Sequence, residues 1–213
     1  MNGCRESSTA ALSELQRELS ACTRCVEAGY IPCARPVFRG RAGHQRMIVG
    51  QAPGARGHQN GVPWSGISGD VLRAWFARSG YPPEEFLESW YFTSLTKCFP
   101  GKVAGGKGDR APSAAERTLC APWLAGELAL VRPELIVTLG RLAAEAFIPG
   151  ARRLALGELV GSVWIADQGY GEIPVVPLPH PSGVSRWLNN PANRILVDRA
   201  LDQLGALRAG GRR

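Results

Sequence analysis

Residues 46–54 read RMIVGQAPG, a short apolar run that ends in a turn rich in glycine and proline. Four to eight apolar residues bounded by turn signals are typical of a strand buried inside a sheet. The turn exposes backbone amides at the carboxyl end of that strand, where a carbonyl group or an anion can bind. The stretch therefore predicts a buried strand over 46–50 that leads into a functional loop.

The rest of the chain alternates strands with helices. We predict further strands at 90–96, 134–139, 163–166 and 174–178, and helices at 8–21, 68–79, 114–131, 140–147 and 193–207. Ser113 and Glu116 form an S-x-x-E capping box at the start of one of these helices. The alternation indicates an α/β fold with a largely parallel sheet covered on both faces. We expect a single domain over 1–213, with flexible tails at 1–7 and 208–213.

In such a sheet, ligands bind at the carboxyl ends of the strands. Three segments leave these ends: a first loop at 51–66, a basic second loop at 97–112 and a third loop at 180–191. The third loop begins with His180, and a histidine held there can donate a hydrogen bond to developing negative charge. A single histidine is more often structural, but its place in this loop favours a functional role.

The composition narrows the class of protein. The net charge is +7, and a basic protein attracts polyanions such as nucleic acid, although a basic surface can also be merely solvated. The chain has no apolar run of about 18 residues, so no membrane span is expected. The first residues lack the apolar core of a secretory signal, which predicts a cytoplasmic location. Thiols stay reduced there, so six cysteines favour metal or redox chemistry over disulfides.

Four of the cysteines have the spacing of a ligand set. Cys22 and Cys25 form a CxxC at the end of the first helix, Cys98 follows a strand, and Cys120 lies in the capped helix. Four thiolates suit an iron–sulfur cluster or tetrahedral zinc, and the spacing alone does not choose between them. Ordinary buried thiols are the alternative. Cys33 is a weaker candidate ligand.

Four motifs in a fixed order carry a resemblance to a known family. They are CTRC at 22–25, GQAPG followed by PWSG within 50–66, TKCFP…E…C within 96–120, and HPSGVSRW at 180–187. Their order and spacing resemble the uracil-DNA glycosylase superfamily, especially its iron–sulfur branches, families 4 and 5. The resemblance implies a three-layer α/β/α sandwich with a central four-stranded, mostly parallel sheet. It also implies a [4Fe–4S] cluster on the four cysteines, with zinc as the less favoured metal.

The resemblance further implies a reaction. A monomeric, monofunctional DNA glycosylase would excise uracil or another deaminated base by hydrolysing the N-glycosidic bond, which initiates base-excision repair. Such an enzyme takes the base out of the DNA helix. Trp64 would stack on the flipped base, unless it is only a core residue, and His180 would donate to uracil O2 as the base leaves as an anion. The other residues implied for this pocket are Gly50, Gln51, Ala52, Pro53, Gly54 and Ser94.

The resemblance also implies where DNA binds. The third loop would enter the minor groove, with Arg186 on a phosphate and Trp187 or Val184 as the wedge. The second loop would contact the DNA backbone, unless it is only a solvated loop. The expected DNA contacts are Lys102, Lys107, Arg110, Ser182, Gly183, Val184, Ser185, Arg186 and Trp187.

Several positions depart from the family pattern. Ala52 stands where the best-known relatives have an Asp or Asn that positions water, and His58 falls where family 4 has an acidic pair. The nearest carboxylate along the chain is Asp70. We therefore expect water to be held by His58, Gln59 or Asn60, or by the backbone alone.

A second departure concerns the base that is recognised. Ser94 replaces the Asn with which many relatives read the uracil edge, so the substrate range could extend to hypoxanthine or xanthine. The alternative function is an iron–sulfur protein that binds damaged DNA with little or no glycosylase activity. A covalent uracil trap, known in one related branch, is disfavoured because the basic insertion of that branch is missing.

Overall fold

The computed structural model describes residues 2–106, 108–182 and 186–210, with side chains from residue 7 to residue 209. Its strands are β1 (Arg46–Gly50), β2 (Tyr91–Ser94), β3 (Leu135–Leu139), β4 (Trp164–Asp167) and β5 (Glu172–Leu178). They form one sheet in the order β2-β1-β3-β5-β4. All neighbours pair in parallel except β4, which pairs antiparallel with β5 at the edge. The four-stranded sheet that the resemblance implied is thus one edge strand short, whereas all five strands predicted from the sequence are present.

Helices surround the sheet and connect its strands. They are α1 (Asn2–Ser20), α2 (Arg24–Glu27), α3 (Ala55–Asn60), α4 (Ile67–Arg78), α5 (Phe86–Ser89), α6 (Ala114–Val131), α7 (Arg141–Phe147), α8 (Leu156–Leu159) and α9 (Pro191–Gly210). Single 3₁₀ turns lie at Pro83–Glu85, Ala151–Arg153 and Arg186–Asn189. In the described part of the chain, no helix combines the length and apolar character needed to cross a lipid bilayer.

The two faces of the sheet bury separate apolar clusters, which confirms the three-layer architecture. Ile48 of β1 packs with Phe76 of α4 and Leu201 of α9 on one face. Met47 and Val49, its neighbours in the strand, pack on the other face with residues of α1, α6 and α7. Successive strand side chains point to opposite faces, so a sheet covered on both sides needs the continuous apolar run seen at 46–50.

The predicted elements are confirmed, with small shifts at their ends. The capping box is formed, because the Glu116 amide donates to Ser113 Oγ over 3.1 Å and the Glu116 carboxylate accepts from the Ser113 amide over 2.7 Å. The first helix begins at Asn2 rather than at residue 8, and the last one ends at Gly210 rather than near residue 207. The single-domain organisation and the flexible tails stay predictions.

A charged network lies inside the fold between β2 and α6. Lys97 is 1% exposed and Glu127 is 0% exposed, and their charged atoms lie 2.6 Å apart. The same carboxylate accepts from Thr93 Oγ1 over 2.6 Å and from Tyr91 Oη over 3.1 Å. Gln16 of α1 donates to Tyr91 Oη over 3.2 Å. The network therefore joins α1, β2 and α6 through hydrogen bonds, with Lys97 and Glu127 fully buried at its centre and the half-buried Gln16 at its rim.

Removing one member of this network should destabilise the fold strongly. Glu127→Ala leaves the Lys97 ammonium buried without a counter-charge, and breaking a buried pair in this way costs about 3–5 kcal/mol. Urea denaturation measures the change in the free energy of unfolding. Glu14→Ala, which removes an exposed ion pair with Arg17, is the control and should cost less than about 1 kcal/mol. Equal losses in the two variants would contradict the prediction.

Candidate active site

Parallel pairing brings the three loops to one edge of the sheet. Backbone hydrogen bonds continue the β1–β2 ladder past its end, since the Leu95 amide donates to Gly50 O over 3.0 Å and the Thr96 amide to Gln51 O over 3.2 Å. The first and second loops are therefore joined at their roots. His180 follows β5 by two residues, and β5 is parallel to β3 in the same sheet.

Trp64 adopts an unusual backbone conformation beside the end of β1. Its φ of +56° lies in the left-handed region, which is rare for a bulky residue and is found where surrounding contacts enforce it. Arg73 Nη1 donates to the Trp64 carbonyl over 3.2 Å. Gly69 makes room for that carbonyl, because a Cβ there would stand 1.7 Å from the oxygen. The half-buried Trp64 ring packs on the core and lies 5.7 Å from the His180 ring, centroid to centroid, so core packing and site lining occur together.

His180 is half-buried at the start of the third loop. Burial lowers the pKa of His180, and the negative charge of Asp109 opposes that shift. The ring is therefore neutral at physiological pH and carries one N–H that can donate. A neutral donor of this kind can stabilise a developing anion without first losing a proton.

Ser94 lies at the floor of the same region. It pairs with Gly50 across β1 and β2, and the Trp64 ring is 3.3 Å from where a Gly50 Cβ would stand. Ser94 is buried, and its Oγ donates to Thr96 O over 2.8 Å. Its hydroxyl hydrogen is thus used within the protein, and its oxygen keeps lone pairs for an incoming donor.

The other residues of the first motif line the same edge. Gln51, Ala52 and Pro53 are half-buried, and the exposed Gly54 caps the start of α3. Ser65, beside Trp64, has a buried Oγ without a hydrogen-bond partner in the described part of the chain. The PWSG motif contained this residue, but nothing in the sequence pattern distinguished its hydroxyl.

The residues expected to hold water lie on the short helix α3. The His58 ring packs against Phe99 of the second loop, with 5.7 Å between the ring centroids. Its Nδ1 is buried without a partner in the part of the chain that the structure describes. Gln59 and Asn60 are exposed. The helix thus joins the first loop to the second, and the water-holding role of these side chains stays a prediction.

A carboxylate that the sequence analysis overlooked reaches the first loop. Asp109 Oδ2 accepts from the Ala55 amide over 3.2 Å, and Oδ1 accepts from Lys102 Nζ over 2.6 Å. Its charge also acts on His180. Asp70 is the nearest carboxylate along the chain, but in space Asp109 contacts the first loop directly from the second. No motif marked it, since its distance along the chain from Ala55 is 54 residues.

Asp70 itself is engaged elsewhere. It is exposed, and its Oδ1 accepts from Arg73 Nη2 over 2.5 Å within α4. Arg73 holds the Trp64 carbonyl. Asp70 therefore helps to position Arg73, which in turn holds the Trp64 carbonyl.

The expected DNA contacts are placed in several ways. Lys102 pairs with Asp109, and Arg110 forms two hydrogen bonds of 2.7 Å with the buried Glu116, so both cations already have partners. Arg186 is exposed, whereas Ser182 is half-buried and the half-buried Trp187 packs against the core. Lys107, Gly183, Val184 and Ser185 lie outside the described residues. Sequence reasoning missed Ile67, a neighbour of the PWSG motif that is 75% exposed.

The four predicted ligand cysteines come from three segments that meet. Cys22 follows α1, Cys25 lies in α2, Cys98 lies in the second loop and Cys120 lies in α6. Their charges act on one another: Cys98 is influenced by the other three and Cys25 by Cys22 and Cys120. Cys33 is exposed. In the described chain, no three His, Cys, Asp or Glu side chains are arranged to hold a single metal ion.

The surroundings of these thiols fit a group that binds thiolates. Burial raises the pKa of Cys98 to about 12 and that of Cys25 to about 11, so both are thiols at neutral pH until a metal displaces their protons. Two backbone amides donate to the sulfurs, Lys97 N to Cys120 Sγ over 3.3 Å and Arg35 N to Cys98 Sγ. Such donors stabilise sulfur that carries negative charge.

Comparison with known proteins identifies the family of the chain. A protein from Archaeoglobus fulgidus described as a type-4 uracil-DNA glycosylase is 28% identical over 181 residues, covering 82% of this chain and 83% of the relative. Proteins with the same description from Pyrobaculum aerophilum and Sulfurisphaera tokodaii are 27% and 25% identical, covering 82% and 92% of this chain and 85% and 84% of the relatives. The profile of the Uracil DNA glycosylase superfamily matches residues 39–204. The chain therefore belongs to the uracil DNA glycosylase superfamily.

Proposed function

We propose that this protein is a monofunctional DNA glycosylase that releases uracil from DNA by hydrolysis of the N-glycosidic bond and so starts base-excision repair. The observation that carries the proposal is the Trp64–His180 pair, with 5.7 Å between ring centroids, at the loop edge of a sheet from this superfamily. An aromatic surface and a neutral hydrogen-bond donor are the two groups that a flipped, departing base requires. The matched relatives described as type-4 uracil-DNA glycosylases support the choice of uracil.

The chemistry follows from the two side chains. The flipped base stacks on the Trp64 ring while the N–H of His180 donates to uracil O2. As the bond between C1′ and N1 breaks, its electron pair moves into the uracil ring and O2 becomes more negative, which strengthens this hydrogen bond. A preorganised donor is most effective where water is excluded, and the partial burial of both rings provides that setting.

Base selection in this proposal depends on Ser94. A serine is shorter than the asparagine of many relatives and leaves space beside the base edge. Its Oγ offers lone pairs, because its hydrogen is already donated to Thr96 O. Such an acceptor can take a hydrogen bond from a ring N–H, which uracil, hypoxanthine and xanthine all carry. The proposed substrate range therefore includes these other deaminated bases.

DNA would bind across the three loops. Arg186 is exposed and available for a phosphate, whereas Lys102 and Arg110 would have to exchange carboxylate partners for phosphates. Trp187 would leave its core contacts to act as a wedge, so the exposed Ile67 is the better placed apolar side chain. Action as a monomer and a cytoplasmic location stay predictions.

The proposal includes a [4Fe–4S] cluster on the four cysteines of the ligand set. Three segments bring these thiols within electrostatic reach of one another, and backbone amides donate to two of the sulfurs. A bound cluster would supply a covalent cross-link between α1, the second loop and α6. Among the described residues, no contact joins these cysteines to Trp64 or His180. The cluster would therefore stabilise the fold and would not take part in base release.

The alternative function is a damage-binding protein without base release, and the observation in its favour is Ala52, which offers no side chain to hold water. A uracil-containing single-stranded oligonucleotide separates the two. Abasic sites, revealed by alkali cleavage, support the glycosylase. Tight binding without abasic sites supports the alternative.

His180→Ala should slow base release by roughly 100- to 1,000-fold, because the departing anion loses its preorganised donor. Single-turnover kinetics on the uracil oligonucleotide measure the change. His44→Ala, which removes a buried histidine outside the three loops, controls for the loss of an imidazole. An undiminished rate in His180→Ala would contradict the role of His180.

Gly69→Ala should also damage the site, although Gly69 contacts no substrate. The added Cβ would stand 1.7 Å from the Trp64 carbonyl, so the backbone at Trp64 must move, and such a displacement can cost roughly 100-fold in rate. Gly157→Ala is the matched control, because its Cβ would meet Leu196 at an ordinary 3.6 Å. Base-release rates and circular dichroism of both variants test this. Equal rates in both would show that the position of Trp64 is unimportant.

The cluster makes its own prediction. The purified protein should be brown and contain roughly four irons per chain with matching acid-labile sulfide. Alanine at any of the four predicted ligand cysteines should abolish or sharply lower this iron content, whereas Cys33→Ala should keep it. Metal analysis and the visible spectrum provide the readout. A colourless protein with one zinc per chain would show that zinc is the metal.

A further inference from the structure

The second loop folds back on itself and directs one carboxylate towards the first. Lys102 and Asp109 face each other in an antiparallel bridge, and the Val103 amide donates to Gly108 O over 2.9 Å. This narrow hairpin brings Asp109 to the start of α3. That is the edge of the sheet where this chain has Ala52 instead of the polar side chain that the resemblance led us to expect.

The contacts of Asp109 hold its carboxylate in place and leave it able to accept further hydrogen bonds. Oδ2 accepts from the Ala55 amide and Oδ1 accepts from Lys102 Nζ, which leaves each oxygen a further lone pair. Gly54 allows the approach, because a Cβ at that position would stand 3.3 Å from Oδ2. The side chain is 35% exposed, so water can reach it.

Asp109 also acts on the third loop, since its charge raises the pKa of His180 against the effect of burial. It thus lies within electrostatic reach of the group that we place on the departing base. A negative charge on a surface that binds DNA repels phosphates and lowers affinity. Asp109 is therefore unfavourable for DNA binding, and a role in the reaction would account for a carboxylate at this position.

We infer that Asp109 is the carboxylate that orients the attacking water, a role that Ala52 cannot perform, and this inference rests on the proposed function. As the C1′–N1 bond breaks, its electron pair leaves with uracil and C1′ becomes positive. A lone pair of the water oxygen forms the new C1′–O bond, and the water proton passes to Asp109 and then to solvent. The uracil anion takes a proton from solvent. The carboxylate also stabilises the positive charge on the sugar while it exists.

The test compares Asp109→Asn, Asp109→Glu and Glu158→Gln in the full-length protein. Asn keeps an oxygen for the Ala55 amide but has no charge and accepts no proton. Glu158 is the matched control, because its carboxylate accepts from the Ala155 amide at the start of α8 and makes no other hydrogen bond or ion pair among the described residues. The readouts are single-turnover uracil release, the dissociation constant for uracil-containing DNA, thermal stability, and the His180 pKa from NMR titration.

The expected result for Asp109→Asn is base release slowed by roughly 100-fold with DNA binding equal or tighter. The His180 pKa should fall, because a neighbouring negative charge is removed. Asp109→Glu should recover part of the rate, and Glu158→Gln should match the wild type.

Three outcomes overturn the inference. One is uracil release by Asp109→Asn within about threefold of the wild type. Another is an unchanged His180 pKa. A third is a loss of uracil-release rate that is matched by equally large losses of DNA affinity and thermal stability. Asp109 would then serve only to cap α3. Uracil release by the wild type separates the two proposals. If the wild type releases uracil, an unaffected Asp109→Asn variant overturns only the role of Asp109. If it does not, both the glycosylase function and the role of Asp109 are overturned.

Discussion

The parallel pairing of β1 with both of its neighbours is the constraint on which the candidate site depends. Because β2, β1, β3 and β5 all run in one direction, their carboxyl ends share one edge. Gly50 consequently lies beside Ser94, and the loop that carries His180 lies near the loop that carries Trp64. The four parallel strands do the positioning, and the antiparallel β4 extends the sheet on the far side of β5.

The buried Lys97–Glu127 pair connects this edge to the cysteine region. The Lys97 side chain points into the interface of β2 with α6, while its backbone amide donates to Cys120 Sγ. One residue therefore fixes both the root of the second loop and a sulfur of the ligand set. Breaking the pair would leave a buried charge, so the position of Cys98, the next residue, is tied to an interaction that is costly to disrupt.

Most of the fold follows from local pattern, and the site follows only in part. Continuous apolar runs predict the strands, and helical periodicity and the Ser113–Glu116 capping box predict the long helices. The short helices α2, α3, α5 and α8 span four to six residues, too few to show a helical period. Trp64 and His180 could be found because each stands in a motif that follows a strand. The left-handed backbone of Trp64 could not, since it depends on Gly69 and Arg73 in the next helix.

Asp109 shows why a motif and a charge convey different information. A motif shows only which residue types follow one another along the chain, and the first motif has no polar side chain at Ala52. The effect of a carboxylate depends on where its charge stands in space, and the hairpin of the second loop places Asp109 against the amide of Ala55, three residues beyond that position. Because all three loops meet at one edge of the sheet, a group lost from one loop can be replaced from another without altering the strands. Divergence at the first motif is therefore compatible with the same reaction, provided that the carboxylate reaches the site by another route.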